Sequence, residues 1–212
     1  MGQDPDKSPA PPLRIGLFGG TFDPPHRGHI AVATDVADAL ELDHVLWIPA
    51  NQPPHKSLCD KAPFTLRLEM TRAALGTDLR FKIDQTEAEN VEPSYTVETV
   101  QVLKECYPED TLFLIIGTDQ FRQLNEWKDP EKLLRLVDLV VMDRGGQSGR
   151  VCVAPILGAD SAYFVPLREI DISSTAVRAA VKNGISLNAL IPSAVETIIC
   201  LLNTSPSPRD AT

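Results

Sequence analysis

Phe18-Gly19-Gly20-Thr21-Phe22-Asp23-Pro24-Pro25-His26-Arg27-Gly28-His29 leaves a strand, passes a glycine turn and enters a helix. Upstream, Leu13, Ile15 and Leu17 alternate as a buried strand does. Downstream, Ile30, Ala33, Ala37 and Leu40 recur at helical spacing, so His26 and His29 fall in the first turn of that helix or in its cap. Residues three apart share a helix face, and Gly28 removes side-chain bulk between the two histidines. Gly19-Gly20 lets the backbone approach a ligand more closely than a residue with a Cβ would allow. The N–H groups that a helix start leaves unpaired bind anions. Taken singly, a helical histidine is usually a surface or satisfied core residue and a Gly-Gly pair is usually a turn. The whole string is far more specific than its parts.

Around this stretch, strand-like and helix-like segments alternate. Strands are expected at 13–18, 44–48, 79–83, 111–116, 138–142 and 162–165, and helices at 28–41, 63–75, 94–106, 130–136, 174–183 and 192–202. Such alternation predicts an α/β fold, a doubly wound and mostly parallel sheet with helices on both faces. Leu112-Phe113-Leu114-Ile115-Ile116 is a continuous apolar run, as expected of a central strand covered on both sides. Gly76 and Gly184 follow helices and suit left-handed C-terminal caps, while Asp129-Pro130 and Pro192 mark helix starts. Gly145-Gly146-Gln147-Ser148-Gly149 reads as a flexible loop. The proline-rich residues 1–12 and the Ser/Pro-rich residues 203–212 read as disordered tails on a single domain, 13–202.

With 212 residues, 43% apolar and 23% charged, the chain has the composition of an ordinary globular protein that buries a core without disulfides. Its net charge of −9 argues against a nucleic-acid partner but permits a locally positive phosphate cleft. No apolar run is long enough to cross a bilayer and the first dozen residues do not read as a signal peptide, so a cytoplasmic location is expected. Cys59, Cys106, Cys152 and Cys200 are scattered, without metal or redox spacing, and read as buried or inert thiols. The usual G-x-G-x-x-G and G-x-x-x-x-G-K-[ST] fingerprints are absent, so a phosphate site here is of another kind.

Asp171-Ile172-Ser173-Ser174-Thr175-Ala176-Val177-Arg178 supplies a second half. Three hydroxyls and a helix start would converge on phosphate oxygens, with Arg178 one turn further in to add a fixed charge and a donor fork. A serine-rich N-cap is the simpler reading of that segment alone. Gly117-Thr118-Asp119 follows the most buried strand, where Thr118 or Asp119 suits a plain helix cap.

GGTFDPPHRGH resembles the T/H-x-G-H signature of the nucleotidyltransferase superfamily, and in particular its bacterial nicotinate-nucleotide adenylyltransferases. ISSTAVR is similar to the I-S-S-T-x-I/V-R motif that binds the β- and γ-phosphates in this superfamily, and no K-M-S-K-S loop is present. The resemblance covers about residues 13–202. It implies catalysis by His26, His29 and Arg178, and ATP contacts by Gly19, Gly20, Thr21, Phe22, Gly28, Gly117, Asp119, Ile172, Ser173, Ser174 and Thr175. For the acceptor, Ser94-Tyr95-Thr96 resembles the S-Y-T segment that contacts the pyridine end, and a helix start there suits a carboxylate. Asn51-Gln52-Pro53-Pro54-His55-Lys56 looks like the P-N-x-x-P-P-H-K/R loop, with Lys56 and His55 as phosphate contacts or as part of a stiff surface loop. Trp127 either stacks on a pyridinium or anchors its loop on the core. Lys128 stands where the family often has an aromatic residue. Arg144 stays open between binding and structure, whereas Arg67 and Met70, in an R-x-x-M pattern, read as structural.

The implied reaction joins ATP to nicotinate mononucleotide, with Mg²⁺ accompanying ATP and held mainly by phosphates and water. The acceptor phosphate is already ionised, so no general base is needed, and catalysis rests on positioning and charge stabilisation. Nicotinamide mononucleotide or phosphopantetheine as acceptor, or a nucleotide-binding sensor without turnover, are the competing readings, and a homo-oligomer is compatible with all of them.

Overall fold

Five consecutive apolar residues, Leu112 to Ile116, fill the middle strand of a seven-stranded sheet. The computed structural model describes residues 11–52, 61–88, 94–143, 152–156, 159–167 and 171–204; for 143, 152–156, 159–161 and 202–204 only the backbone is described. His55, Lys56, Arg144, the 145–149 loop and most of both tails lie outside the described residues.

The elements run β1 (Arg14–Gly20), α1 (Arg27–Ala39), β2 (His44–Pro49), α2 (Phe64–Leu75), β3 (Phe81–Ile83), α3 (Thr96–Cys106), β4 (Thr111–Gly117), α4 (Thr118–Arg122), a 3-10 turn at Leu124–Glu126, α5 (Pro130–Leu134), β5 (Asp138–Asp143), β6 (Cys152–Ile156), β7 (Ala159–Pro166), α6 (Ser174–Lys182) and α7 (Ser193–Thr204). The sheet order is β3-β2-β1-β4-β5-β7-β6. Every pairing is parallel except that of β6 with β7. This is the doubly wound α/β fold expected from the alternation of segments.

Period-two alternation distributes the apolar side chains of the central strands to both faces. Ile15, Leu17, Leu46, Ile48, Leu112, Leu114, Ile116, Leu139 and Val141 pack with Val97, Val100 and Leu103 of α3 and Leu133 of α5. Phe18, Val45, Trp47, Phe113, Ile115 and Val140 form the opposite layer with Ala33, Val36 and Ala37 of α1. A third cluster joins Met70 and Ala74 of α2 to Val177 and Ala180 of α6 and Val195 of α7.

Several details differ from the sequence reading. The strand expected from 79 begins at Phe81, and Leu79 is 90% exposed. β6 was not anticipated, because Pro155 demotes a strand reading; it lies at the sheet edge with a register shift between Ala154 and Ile156, where a residue without an N–H is tolerated. α4, five residues long, is too short to show a helical period. Cys106 and Cys200 are exposed rather than buried, Cys59 lies outside the described residues, and of Cys152 only the backbone is described. Gly76 and Gly184 have φ of 63° and 64°, but with ψ of −132° Gly76 lies outside the left-handed helical region expected of its cap. Among the described residues no helix is long and apolar enough to cross a membrane.

Trp47 is fully buried against Phe18, Phe22 and Phe81, yet its indole N–H has no acceptor among the described residues. Trp47→Ala should therefore cost about 3–5 kcal/mol in urea unfolding, as large aromatic truncations do. Trp47→Phe should cost less than about half of that, because the orphaned N–H leaves together with the lost volume.

Candidate active site

The strand order reverses between β1 and β4, which are parallel neighbours. Loops leaving the carboxyl ends of two such strands diverge to opposite faces and open a crevice. The loop after β1 bounds this crevice, and its carbonyls are taken by donors from other segments. Ala50 N–H donates to Gly20 O at 2.8 Å. Arg67 Nη1 donates to Thr21 O at 2.7 Å, Arg178 Nη1 to Asp23 O at 2.7 Å, and Ser174 Oγ to Pro24 O at 2.9 Å. Between them Phe22 adopts φ of 49°, rare for a bulky residue, and is held by the aromatic packing of its buried ring.

The two glycines before this turn are used differently. A Cβ on Gly20 would lie 2.8 Å from the Phe22 ring, so that glycine is required by packing. A Cβ on Gly19 would meet nothing within 4 Å, so the space beside Gly19 is open.

His26 is the N-cap of α1 and His29 its third residue. Each caps the other: His26 Nδ1 accepts from His29 N–H at 3.3 Å, and His29 Nδ1 accepts from His26 N–H at 3.2 Å. The rings stack at 3.6 Å with 24° between their planes. Because both Nδ1 atoms are acceptors, each neutral ring carries its proton on Nε2, which makes Nε2–H the donor each ring offers beyond the cap. Phe22 packs edge-on against His29 at 5.1 Å and fixes the ring plane. Arg27 N–H donates to Leu190 O at 2.9 Å and anchors this helix start to the segment before α7.

α6 opens with Ser173 as N-cap, its hydroxyl accepting from Ala176 N–H at 3.1 Å. The serine-cap reading is thus correct for Ser173. Ser174 reaches across to the β1 loop instead, and Arg178 bridges Asp23 O and Thr175 Oγ1. Ile172 packs on the α2/α6/α7 cluster. Sequence reading gave Arg178 a phosphate role; the structure also gives its guanidinium the task of joining the two motifs.

At the end of β4, Gly117 rather than Thr118 or Asp119 caps α4, with Gln120 Oε1 accepting from Gly117 N–H at 3.1 Å. Thr118 Oγ1 donates to Met142 O on β5. The Asp119 side chain is 96% exposed at the crevice end of β4, its contact there being Arg122 at 3.5 Å.

The acceptor-side residues fall in two groups. Asn51 Nδ2 donates to Ala88 O, and Ser94 N–H donates to Gln52 O at 3.2 Å, so Ser94's own N–H is already engaged. Among the described residues no side chain caps α3 at Tyr95, and with Glu98 N–H donating to Tyr95 O at 2.9 Å, the first-turn N–H groups left without intrahelical partners are those of Thr96 and Val97. Trp127 is half-buried and packs on the core, which favours the anchor reading for at least one face of the ring. Lys128 Nζ lies 2.5 Å from Glu98 Oε1 and 4.4 Å above the Tyr95 ring. The pairing raises the Lys128 pKa and lowers that of Glu98.

Glu87 was missed by sequence reading, since an acidic residue in a polar run looks like a solvated loop. Burial pushes its carboxyl up, against hydrogen bonds from Thr99, Ser94 and the Asn51 N–H. Among the described residues no group of three or more His, Cys, Asp or Glu side chains is placed to hold a metal ion.

The cytidylyltransferase-like family matches residues 17–180, which contain both motifs. A relative from Thermus thermophilus is 40% identical over 187 residues, covering 88% of this chain and 96% of its own length. Another from Shouchella clausii is 38% identical over 186 residues, covering 88% and 93%. Both are named probable nicotinate-nucleotide adenylyltransferase. The chain belongs to this family. Among solved structures, the Plasmodium falciparum nicotinic acid mononucleotide adenylyltransferase complexed with APC shares the fold, with a TM-score of 0.70 at 18% identity over 91% of this chain and 96% of that one. A second structure of that enzyme, complexed with NaAD, also gives a TM-score of 0.70, at 20% identity over 91% and 97%.

The mutual cap separates two jobs of one side chain. His26→Ala should lose about 1 kcal/mol of stability with the cap, and His26→Asn should recover most of it by restoring an acceptor near Nδ1. Thermal melts would check this. Asparagine cannot replace the Nε2–H donor, so turnover should stay low in both variants; full activity in His26→Asn would limit His26 to capping.

Proposed function

We propose that the chain is an enzyme that transfers the adenylyl group of ATP to nicotinate mononucleotide, giving nicotinate adenine dinucleotide and pyrophosphate in NAD biosynthesis. The observation that carries this reading is the hydrogen-bonded joining of the two motifs, Arg178 on Asp23 O and Ser174 on Pro24 O, just ahead of the capped histidine pair. The names of relatives up to 40% identical support the same acceptor. The catalytic domain spans residues 13–202, and the reaction belongs in the cytoplasm, where free nucleotides are joined.

A phosphate oxygen of the acceptor attacks the α-phosphorus of ATP in line. The α-phosphorus bond to the bridging oxygen breaks, and pyrophosphate departs with the electron pair. His26 and His29 donate through Nε2–H to the α- and β-phosphate oxygens as charge develops there. Ser173, Ser174, Thr175 and Arg178 at the α6 start hold the β- and γ-phosphates, with Ile172 on the approach. Gly19, Gly20, Thr21, Phe22 and Gly28 form the floor that lets the triphosphate approach the backbone. Gly117 and Asp119 receive the nucleoside, the aspartate accepting from a ribose hydroxyl. Mg²⁺ accompanying ATP would be held mainly by the phosphates and water and would supply charge neutralisation there. On the acceptor side, Ser94, Tyr95, Thr96, Trp127 and Lys128 take the pyridine end, and Asn51, His55, Lys56 and Arg144 the ribose phosphate.

Pyrophosphate release from ATP and Mg²⁺, measured separately with nicotinate mononucleotide, nicotinamide mononucleotide and phosphopantetheine, tests the reading. Strong preference for the first is expected. Preference for another acceptor would overturn the acceptor assignment, and ATP binding without release would favour a sensor. In the active reaction, His29→Ala should lower kcat by about 10²–10³ in a folded protein, as loss of one charge-stabilising donor does. Trp127→Ala should raise KM for the acceptor far more than KM for ATP, and equal rises would restrict Trp127 to anchoring its loop.

A further inference from the structure

Arg67 is 2% exposed, and among the described residues no carboxylate lies within ion-pair distance of it. Its donors go to backbone carbonyls: Nη1 to Thr21 O and Ala50 O, both at 2.7 Å, Nη2 to Asn51 O at 3.3 Å, and Nε to Ala62 O at 3.1 Å. Thr21 belongs to the loop after β1, whereas Ala50 and Asn51 belong to the loop after β2. One guanidinium thus ties the nucleotide loop to the start of the acceptor loop.

The connection continues beyond Asn51. Its N–H donates to Glu87, which also accepts from the Ser94 hydroxyl and, at 2.9 Å, from Thr99 Oγ1 of α3. The Asn51 residue is therefore held on its carbonyl by Arg67 and on its N–H by Glu87. One turn after Arg67, Met70 packs in the same cluster as Val177 of α6, the helix that carries Arg178. Thr21, Asn51 and Ser94, on three separate segments, are linked through the buried Arg67 and the half-buried Glu87.

We propose that Arg67, continued by Glu87, is a positioning residue that sets the nucleotide loop in register with the acceptor-binding loop and the α3 start. This rests on the adenylyl-transfer reading above. A spacer role explains the arginine poorly, because burying a charge costs free energy that an apolar side chain of similar volume avoids. A planar fork that reaches two loops at once explains it. Lysine offers three donors from one atom and cannot span both.

Pyrophosphate release by wild type, R67K and E87Q, with ATP, Mg²⁺ and nicotinate mononucleotide, tests the proposal at a temperature well below each melting transition. In R67K, kcat per folded molecule should fall about 10- to 100-fold, the scale of small misalignments of reacting groups. Both KM values should stay within about threefold, since no substrate contact is removed. Unchanged kcat per folded molecule would overturn the proposal, whatever happens to Tm, and so would a rise in either KM alone. If R67K does not fold, E87Q decides. It keeps an acceptor and should lower kcat about three- to tenfold with both KM values little changed, whereas full kcat would overturn the proposal. An inactive wild type would refute the adenylyl-transfer reading itself, which separates the two failures.

Discussion

A loop that must bring backbone close to a polyanion cannot bury its own carbonyls without partners. That constraint organises this molecule. The carbonyls of Gly20, Thr21, Asp23 and Pro24 are met by Ala50, Arg67, Arg178 and Ser174 respectively, on segments far apart in sequence. Two of these donors are guanidinium groups, which add positive charge beside the crevice while satisfying oxygen atoms. In a chain with net charge −9, both guanidinium groups stand at the sheet's switch point, with the buried Asp23 carboxylate acting on Arg67 there. Satisfying the loop and building the proposed phosphate site are one arrangement.

The same economy appears at His26 and His29. A helix start leaves N–H groups that need acceptors. The pair supplies two acceptors through Nδ1, and this fixes the tautomer that presents Nε2–H. Serine or aspartate would cap as well, but would leave no second donor on the same ring. Phe22, in its unusual backbone conformation, holds the plane of His29. Tautomer, ring plane and helix position are therefore set before any ligand arrives, which is the preorganisation that charge stabilisation requires.

Much of this was legible in the sequence because periodicity carries it. The apolar runs of the central strands and the spacing of Ile30, Ala33 and Ala37 report burial directly, and the fold follows. The two phosphate motifs were readable because glycine, histidine and hydroxyl residues at fixed offsets have few other uses. Arg67 and Glu87 were not legible as a pair. The partners of Arg67 are main-chain carbonyls and the link from Glu87 to Asn51 is a main-chain N–H, and backbone groups leave no residue signature. β6 was hidden by Pro155, whose lack of an N–H matters only if the position faces a paired neighbour, a fact of topology rather than of composition.

The two sides of the crevice are built to different stiffness. On the nucleotide side, Phe22, His26 and Arg67 are buried and locked by hydrogen bonds or aromatic contacts. On the acceptor side, Tyr95 is 36% exposed, and the Lys128 and Glu98 side chains are 42% and 51% exposed in a solvent-facing pair. Exposed ion pairs contribute little to stability, so in the proposed reaction Lys128 would leave Glu98 for the acceptor's carboxylate at small cost. The buried network, by contrast, has no cheap rearrangement, because each of its carbonyls would lose its donor. In the proposed reaction, acceptor binding would adjust the exposed side chains while the reacting phosphates meet the buried frame. On that reading, recognition falls to side chains that tolerate change and chemistry to those that do not.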